Sequence, residues 1–154
     1  MEPRLVDGAA MRLAGNVARH DARNPLGIPG QWAEFAPRMG SVPGKVGDAA
    51  YGAVYNYDMA AGTFDYLCGV EVGAETAAPE GMQTIDIPAQ RYAVFHHAGH
   101  ISGIRETITA IWTQYIPQSG LKPAPGIMLE RYGPEFNGQT GLGGVEIWIP
   151  IGAD

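Results

Sequence analysis

The chain has 154 residues, of which 45% are hydrophobic and 17% are charged, and its formal net charge is −6. This length favours one domain with enough apolar residues for a core. The acidic balance argues against a nucleic-acid-binding module, which needs a basic face to neutralise phosphates. The 22 glycines and 12 prolines are spread along the chain, a pattern that favours strands and turns over a helix bundle.

The chain contains a single cysteine, Cys68, so an internal disulfide and a paired-cysteine metal site are both excluded. No stretch approaches the ~18 apolar residues of a membrane-spanning helix. No apolar run follows Met1-Glu2-Pro3-Arg4 as it would in a signal peptide. We therefore expect a cytoplasmic protein with no membrane partner.

Internal similarity indicates a duplication. The run Gly69-Val70-Glu71-Val72 recurs 75 positions later as Gly144-Val145-Glu146-Ile147. An amphipathic helical stripe also occurs twice, 76 positions apart, as Ile28, Trp32, Phe35 and Met39 and as Ile104, Ile108, Ile111 and Tyr115. Two copies of this size fill the chain.

The segments of the two copies follow the same order. The first copy predicts a strand, a loop, a helix and two strands: Met11–His20, the loop through Asn24 and Pro25, Pro29 to Arg38–Gly40, Ala50–Tyr57 and Thr63–Val72. The second predicts a strand, a helix capped by Ser102 and ended by Pro117, and two strands: Gln90–His97, Ser102 to about Ile116, Pro125–Tyr132 and Gly144–Ile151. Pro79–Ile87 connects the copies, with room for a short extra strand.

This order predicts an α+β fold of duplicated β-α-β-β units related by a pseudo-twofold axis, with a mostly antiparallel sheet, two helices and a central cleft. Residues 1–154 would form one domain, with repeat 1 at about 10–73 and repeat 2 at about 82–151. A single unit would leave an apolar sheet face exposed. The two units are therefore expected to pack side by side and to bind a ligand in the cleft along their seam.

Alternation in the last two strands places two glutamates beside aromatic residues. Glu146 and Trp148 share one face of the final strand, opposite a face that is wholly aliphatic: Val145, Ile147, Ile149 and Ile151. In the preceding strand one face carries Met128, Glu130 and Tyr132. Together these side chains would form an aromatic box with an acidic floor, which suits a lipophilic cation. The alternative is that both glutamates lie on a solvated face or pair with Arg131 or Arg105.

Aromatic residues also occupy the hairpin of the first copy. Strand parity groups Tyr51 with Tyr55 and Tyr57, and Phe64 with Tyr66. A core layer, an exposed cross-strand ladder and a ligand-binding role all fit this pattern. Trp32 lies within its helical stripe and is predicted in the core, whereas Trp112 lies one position off its stripe and faces either the core or the cleft.

No motif of catalysis or of cofactor binding stands out. His96 and His97 point to opposite faces of a strand, so these two and His100 lack metal-ligand spacing. The glycine-rich run 138–144 leads into a strand and lacks the helix N-terminus that holds phosphate. A serine-hydrolase elbow is absent from the sequence. We predict no catalytic residue, no metal and no cofactor.

Five segments resemble the GyrI-like small-molecule-binding domains, which also serve as effector-binding domains of AraC- and MerR-type transcription regulators. These segments follow the family's order along nearly the whole chain: Phe64–Val72, Ile87–Phe95, the helix with Trp112, Leu129–Tyr132 and Gly144–Ile151. The resemblance implies a duplicated β-α-β-β fold. It also implies a cleft for lipophilic, often cationic compounds, with an acidic residue on a late strand.

The implied acidic residues match Glu130 and Glu146, and the resemblance leaves open which of them is the main contact. The implied aromatic walls match Tyr51, Tyr55, Tyr66, Tyr92, Trp112 and Trp148. Unlike the regulators, this sequence has no room for a helix-turn-helix, so a stand-alone member with no direct nucleic-acid contact is expected.

Three functions from different classes fit the sequence. The first is a binding module that senses or sequesters a small hydrophobic or cationic ligand. The second is a small-molecule hydrolase of the GyrI-like type, in which Glu146 acts as general base and Tyr92 or Tyr132 donates a hydrogen bond. The third is a gyrase-interacting inhibitor. The sequence leaves open whether two chains pair as a homo-oligomer.

Overall fold

The computed structural model describes residues 2–22 and 27–152, so the predicted loop through Asn24 and Pro25 lies outside the described residues. The chain divides into two compact units. We call Ala10–Pro88 the middle unit, and we call Met1–Ala9 together with Ala89–Asp154 the terminal unit.

The described residues contain eight strands and three α-helical segments. In chain order these are β1 (Arg4–Gly8), β2 (Met11–Asp21), α1 (Gly27–Phe35), β3 (Lys45–Asp58), β4 (Thr63–Val72), β5 (Gln83–Ile87), β6 (Gln90–His97), α2 (Ile104–Ala110), α3 (Ile116–Ser119), β7 (Met128–Tyr132) and β8 (Val145–Pro150). The predicted α+β class is confirmed, and every strand predicted from the sequence is present.

In the middle unit, four described strands form an antiparallel sheet in the order β3-β4-β2-β5. Helix α1 packs on one face of this sheet, where Phe35 contacts a cluster of β4 side chains: Phe64, Tyr66, Cys68, Val70 and Val72. Trp32 packs against the same cluster, and its indole N–H donates to the Tyr66 hydroxyl at 3.0 Å. Trp32 was predicted in the core, and it is partly buried against the core from its helical stripe.

In the terminal unit, four described strands form an antiparallel sheet in the order β1-β6-β8-β7. The aliphatic face of β8 is buried as the alternation predicts, and it packs with Phe95 and with Ile111 of the helical segment. We call this face of the terminal sheet the helix side. Each unit thus contains the predicted β-α-β-β order.

Each sheet gains an edge strand in addition to the predicted β-α-β-β order. Strand β1 precedes the first repeat in the chain but pairs with β6, whereas β5 lies in the predicted connection between the repeats and pairs with β2. The sequence left room for a strand within Pro79–Ile87, which is β5, but gave no sign of β1. The sheet of the middle unit is therefore built from one continuous segment, Ala10–Pro88, whereas the sheet of the terminal unit combines β1 with strands from Ala89 onward.

The helical stripes repeat as predicted, because Phe35 and Ile111, 76 positions apart, are both fully buried. In the strands the correspondence is different. The cross-strand pair Ala14–Val70 lies in the core beneath the helix of the middle unit, and the pair Ala93–Ile149 lies in the core beneath the helical segment of the terminal unit. The corresponding residues of the two pairs are 79 positions apart. The tetrapeptide similarity at 75 positions therefore does not mark equivalent sites.

The helix ends differ from the prediction in ways that local chemistry explains. The imidazole of His100, rather than Ser102, caps the second helical segment by accepting from the Ser102 backbone N–H at 3.1 Å. Pro117 does not end it, because a π-helical turn over Ile111–Tyr115 precedes the proline and changes the hydrogen-bond register. The segment ends instead at Gly120, whose φ of +76° suits glycine.

Two glycines face each other where β2 and β4 approach closely, and this predicts a sharp difference between glycine substitutions. A methyl group on Gly15 would overlap the Cys68 carbonyl oxygen, whereas one on Gly30 in α1 meets nothing within 4 Å. We expect Gly15→Ala to lower the free energy of unfolding by at least about 2 kcal/mol through overpacking. Gly30→Ala should raise it by about 0.5–1 kcal/mol.

Urea denaturation of both variants measures this difference. Equal stability of Gly15→Ala and the parent protein would contradict the close approach of the two strands.

Candidate ligand-binding site

The terminal sheet places the two predicted glutamates on opposite faces. Residues directly opposite each other in an antiparallel pair share a face. Glu130 lies opposite Ile147, which is on the helix side, and Arg131 lies opposite Glu146 on the other face. The single predicted box is therefore divided into two clusters.

The first cluster surrounds Glu130 on the helix side of β7. Glu130 is only 7% exposed, and the Tyr132 hydroxyl donates to its Oε1 at 3.0 Å. The Tyr132 ring contacts Phe136 edge-on, with ring centres 5.1 Å apart. Met128 packs against the apolar core on the same side. Glu130 is thus a buried carboxylate with aromatic and thioether side chains beside it.

The second cluster surrounds Glu146 on the other face. Arg4 of the edge strand β1 reaches Glu146 Oε2 at 3.1 Å, and Arg131 lies 3.5 Å from Oε1. The indole N–H of Trp148 donates to the same Oε1 at 3.2 Å. The side chain of Glu146 is 19% exposed. The alternative in which Glu146 pairs with Arg131 is confirmed, and its charge is balanced by two guanidinium groups.

Tyr92 belongs to the second cluster. Its ring meets Trp148 edge-on, with ring centres 5.2 Å apart, and it covers Gly8, where a Cβ would lie 2.6 Å from the ring. Tyr92 is 1% exposed, and this burial raises the pKa of its hydroxyl above the ordinary value. The residue therefore acts as an aromatic packing element on this face.

The remaining aromatic candidates lie elsewhere. Tyr66 is part of the middle unit's core beneath α1, while Tyr51 and Tyr55 project from the other face of that sheet. Burial, with the nearby Asp65 carboxylate, raises the pKa of Tyr55. Trp112 is 42% exposed in the π-helical turn.

Sequence reasoning missed Arg4 and Phe136, which complete the two clusters. Alternation within β7 shows which of its residues share a face. The register of β7 against β8 decides whether that face is the helix side or the opposite side. The short strand β1 has no periodic pattern of apolar residues, so the strand was not predicted. The contact between Arg4 and Glu146 could therefore not be predicted either.

The histidines serve the fold. Buried His97 bonds Thr107 Oγ1 at 2.7 Å through Nδ1 and the His100 carbonyl at 2.8 Å through Nε2, which ties β6 to the start of the helical segment. Within residues 2–22 and 27–152, no group of three His, Cys, Asp or Glu side chains is placed to hold a metal ion. The same residues include no helix long and apolar enough to cross a membrane.

The burial of Tyr92 predicts a contribution to stability at alkaline pH. Because its pKa is higher in the folded protein, the unfolded chain ionises first, and stability falls as the pH rises above about 10. We expect Tyr92→Phe to show a smaller fall in the free energy of unfolding between about pH 9.5 and 11.5. Part of the fall should remain, because the pKa of Tyr55 is raised as well. An identical pH dependence in the two proteins would contradict this assignment.

Comparison with known proteins places this geometry in a family. A family model described as "GyrI-like small molecule binding domain" matches residues 1–152. The transcriptional regulator BrlR of Pseudomonas aeruginosa is 33% identical over 98% of this chain. The chain spans 56% of the length of that regulator.

Solved structures share the fold at low sequence identity. SAV2435 bound to tetraphenylphosphonium has a TM-score of 0.74 and 18% identity, and the match covers 99% of this chain and 95% of that one. The EcmrR C-terminal domain has a TM-score of 0.68 and 15% identity, with coverage of 99% and 98%. A hydrolase encoded by lin2189 from Listeria innocua has a TM-score of 0.55 and 11% identity, with coverage of 98% and 92%.

The family model spans almost the entire sequence, and the duplicated β-α-β-β order agrees with it. This chain belongs to the family of GyrI-like small-molecule-binding domains.

Proposed function

We propose that this domain binds lipophilic cations and that Glu130 supplies the opposite charge. Membership of a small-molecule-binding family supports a binding role. The fold neighbour SAV2435 was solved with tetraphenylphosphonium, a cation enclosed by four phenyl rings. The observation that carries the proposal is the burial of the Glu130 carboxylate beside Tyr132 and Met128.

A buried carboxylate favours a cation for a physical reason. Burial removes water from the charge and so strengthens its attraction to an opposite charge nearby. The Tyr132 hydroxyl donates to Glu130, and a hydrogen bond to an ionised oxygen stabilises the ionised form. A ligand that brings a diffuse positive charge with apolar surface gains from both the carboxylate and the aromatic rings.

Glu146 already has two cationic partners. Arg4 and Arg131 already balance its charge, so a cation would compete with two guanidinium groups and meet a net positive cluster. Its neighbour Trp148 is engaged with the carboxylate and with the Tyr92 ring. In the proposal these three residues shape the sheet rather than attract the ligand.

Of the other aromatic candidates, Trp112 enters the proposal as a wall residue. Trp112 offers an exposed ring on the helical segment that covers the helix side. Tyr51 and Tyr55 belong to the middle unit, where their rings are buried and half-buried, and they are not part of this proposal. Tyr66 packs in the core of the middle unit and accepts from Trp32, so it is not part of the proposal either.

The biological use of such binding would be sensing or sequestration. The curated relative is a transcriptional regulator, and this chain corresponds to about half of it. We propose an effector-binding role on this basis, with the ligand as the partner.

Titration with tetraphenylphosphonium tests the charge on Glu130. We expect Glu130→Gln to weaken binding about tenfold to a hundredfold, because a contact to a charged group contributes about 1.5–3 kcal/mol. The glutamine keeps an acceptor for the Tyr132 hydroxyl and nearly the same volume. The matched variant Glu146→Gln should change the affinity by less than about threefold. Isothermal titration calorimetry measures both.

Triphenylphosphine oxide provides an uncharged comparison ligand. Its affinity should not fall in Glu130→Gln, because this ligand carries no positive charge for the carboxylate to attract. Equal tetraphenylphosphonium affinity for the parent and Glu130→Gln would contradict the proposed role of Glu130, and a larger loss in Glu146→Gln would transfer that role to the other face.

A further inference from the structure

We propose that the middle unit carries a second binding site, a groove beside β2 that receives a short extended peptide with a lysine or arginine. The peptide would add a strand to the open edge of β2, in line with β5. Three observations lead to this site: a part of the β2 edge that no described strand covers, a groove that lies along this edge, and an acidic side chain on the groove wall.

The edge of β2 is covered only in part. Strand β5 pairs with β2 from Met11 to Gly15, and no described strand pairs with the rest of β2 on that side. The chain leaves this line just before β5, in a turn where the Met82 N–H donates to the Pro79 carbonyl. Gly81 in that turn has a φ of +78°. Because of this turn, the chain before β5 does not continue alongside β2.

The backbone groups of the uncovered edge point outward. The Ala22 N–H donates to the Gly62 carbonyl, in register with the β2–β4 ladder. Alternate residues of an antiparallel strand direct their N–H and C=O to the same neighbour. Ala18 therefore points toward β4 as Ala22 does, and Val17 and Arg19 point to the uncovered side. An uncovered edge of this kind is a template for another strand.

A groove of about 410 Å³ lies along this edge. Its walls are the β2 edge, one side of α1 and the start of β5, through Asn16, Val17, Ala18, Gln31, Glu34, Arg38, Gly81 and Gln83. Its base is firmly built, because buried Gln31 donates to the Asn16 and Tyr66 carbonyls and bonds His20 at 2.6 Å. These bonds join α1 to β2 and β4 at the base of the groove.

An acidic side chain on the α1 wall selects the peptide. Arg38, in the 3-10 helix Ala36–Ser41 that follows α1, donates to the Glu80 carbonyl at 2.9 Å and so holds the turn that leaves the groove open. Glu34, one helical turn earlier, is exposed and forms no ion pair within the described part of the chain. A strand in the groove would direct alternate side chains toward α1, where a basic side chain meets Glu34.

Selection from a displayed library of random heptapeptides tests the site. We expect enriched peptides with a lysine or arginine, and at least tenfold weaker binding by Val17→Pro, because proline removes the outward N–H. The control Val17→Thr keeps that N–H and should bind like the parent. Glu34→Gln should weaken peptides with a basic residue about threefold or more. Tetraphenylphosphonium affinity should be unchanged in all three variants.

N-methylation of alternate backbone amides in the enriched peptide supplies a test that does not depend on how well Val17→Pro folds. The methylated peptide should lose at least tenfold in affinity for the parent protein, since it keeps its side chains but lacks the donors. A library that yields no enriched peptide, or peptides that bind Val17→Pro and tolerate methylation, would overturn the proposal. Enrichment of peptides without basic residues would overturn the role of Glu34.

Discussion

A carboxylate withdrawn from water is the constraint around which the terminal unit is built. Glu130 is the third residue of β7, and its position opposite Ile147 directs it toward the apolar helix side. Burial of a charge is costly unless hydrogen bonds or an opposite charge compensate. Tyr132 contributes one such hydrogen bond, and Phe136 supports the Tyr132 ring. In our account the ligand's positive charge supplies further compensation.

Duplication allows the two units to differ at equivalent positions. Gly52 lies opposite Cys68 in the middle unit, at the place where Glu130 lies opposite Ile147 in the terminal unit. Only the terminal repeat therefore carries an acid at this point of the sheet. The middle repeat instead has Gln31 and His20 bonded beneath α1. The same strand order thus supports a carboxylate among apolar side chains in the terminal unit and a polar groove in the middle unit.

Two arginines on the opposite face of the terminal sheet hold Glu146 in place. Arg4 comes from β1, the strand that the terminal sheet takes from the beginning of the described chain. Its contact with Glu146 ties this edge strand across β6 to β8. Glu146 is thereby committed to holding the sheet, and Trp148 and Tyr92 pack around it.

The sequence predicted the fold well because its strongest signals were local and periodic. The aliphatic face of β8 and the helical stripes at Phe35 and Ile111 were found from spacing alone. For the site, the sequence predicted the residues but not the face of the sheet on which each of them lies. Both faces of β7 mix apolar and charged residues, so nothing in its alternation could assign Glu130 to the side opposite Glu146. That assignment depends on the pairing of β7 with β8, which is a long-range property. The seam between the repeats, predicted as the binding cleft, stays a prediction.

The position of a bound cation tests the central claim most directly. A crystal structure of the domain with tetraphenylphosphonium should place the phosphonium group beside the Glu130 carboxylate, with both arginine contacts to Glu146 intact. A phosphonium group stacked over Trp148, with Arg4 or Arg131 displaced from Glu146, would contradict the account.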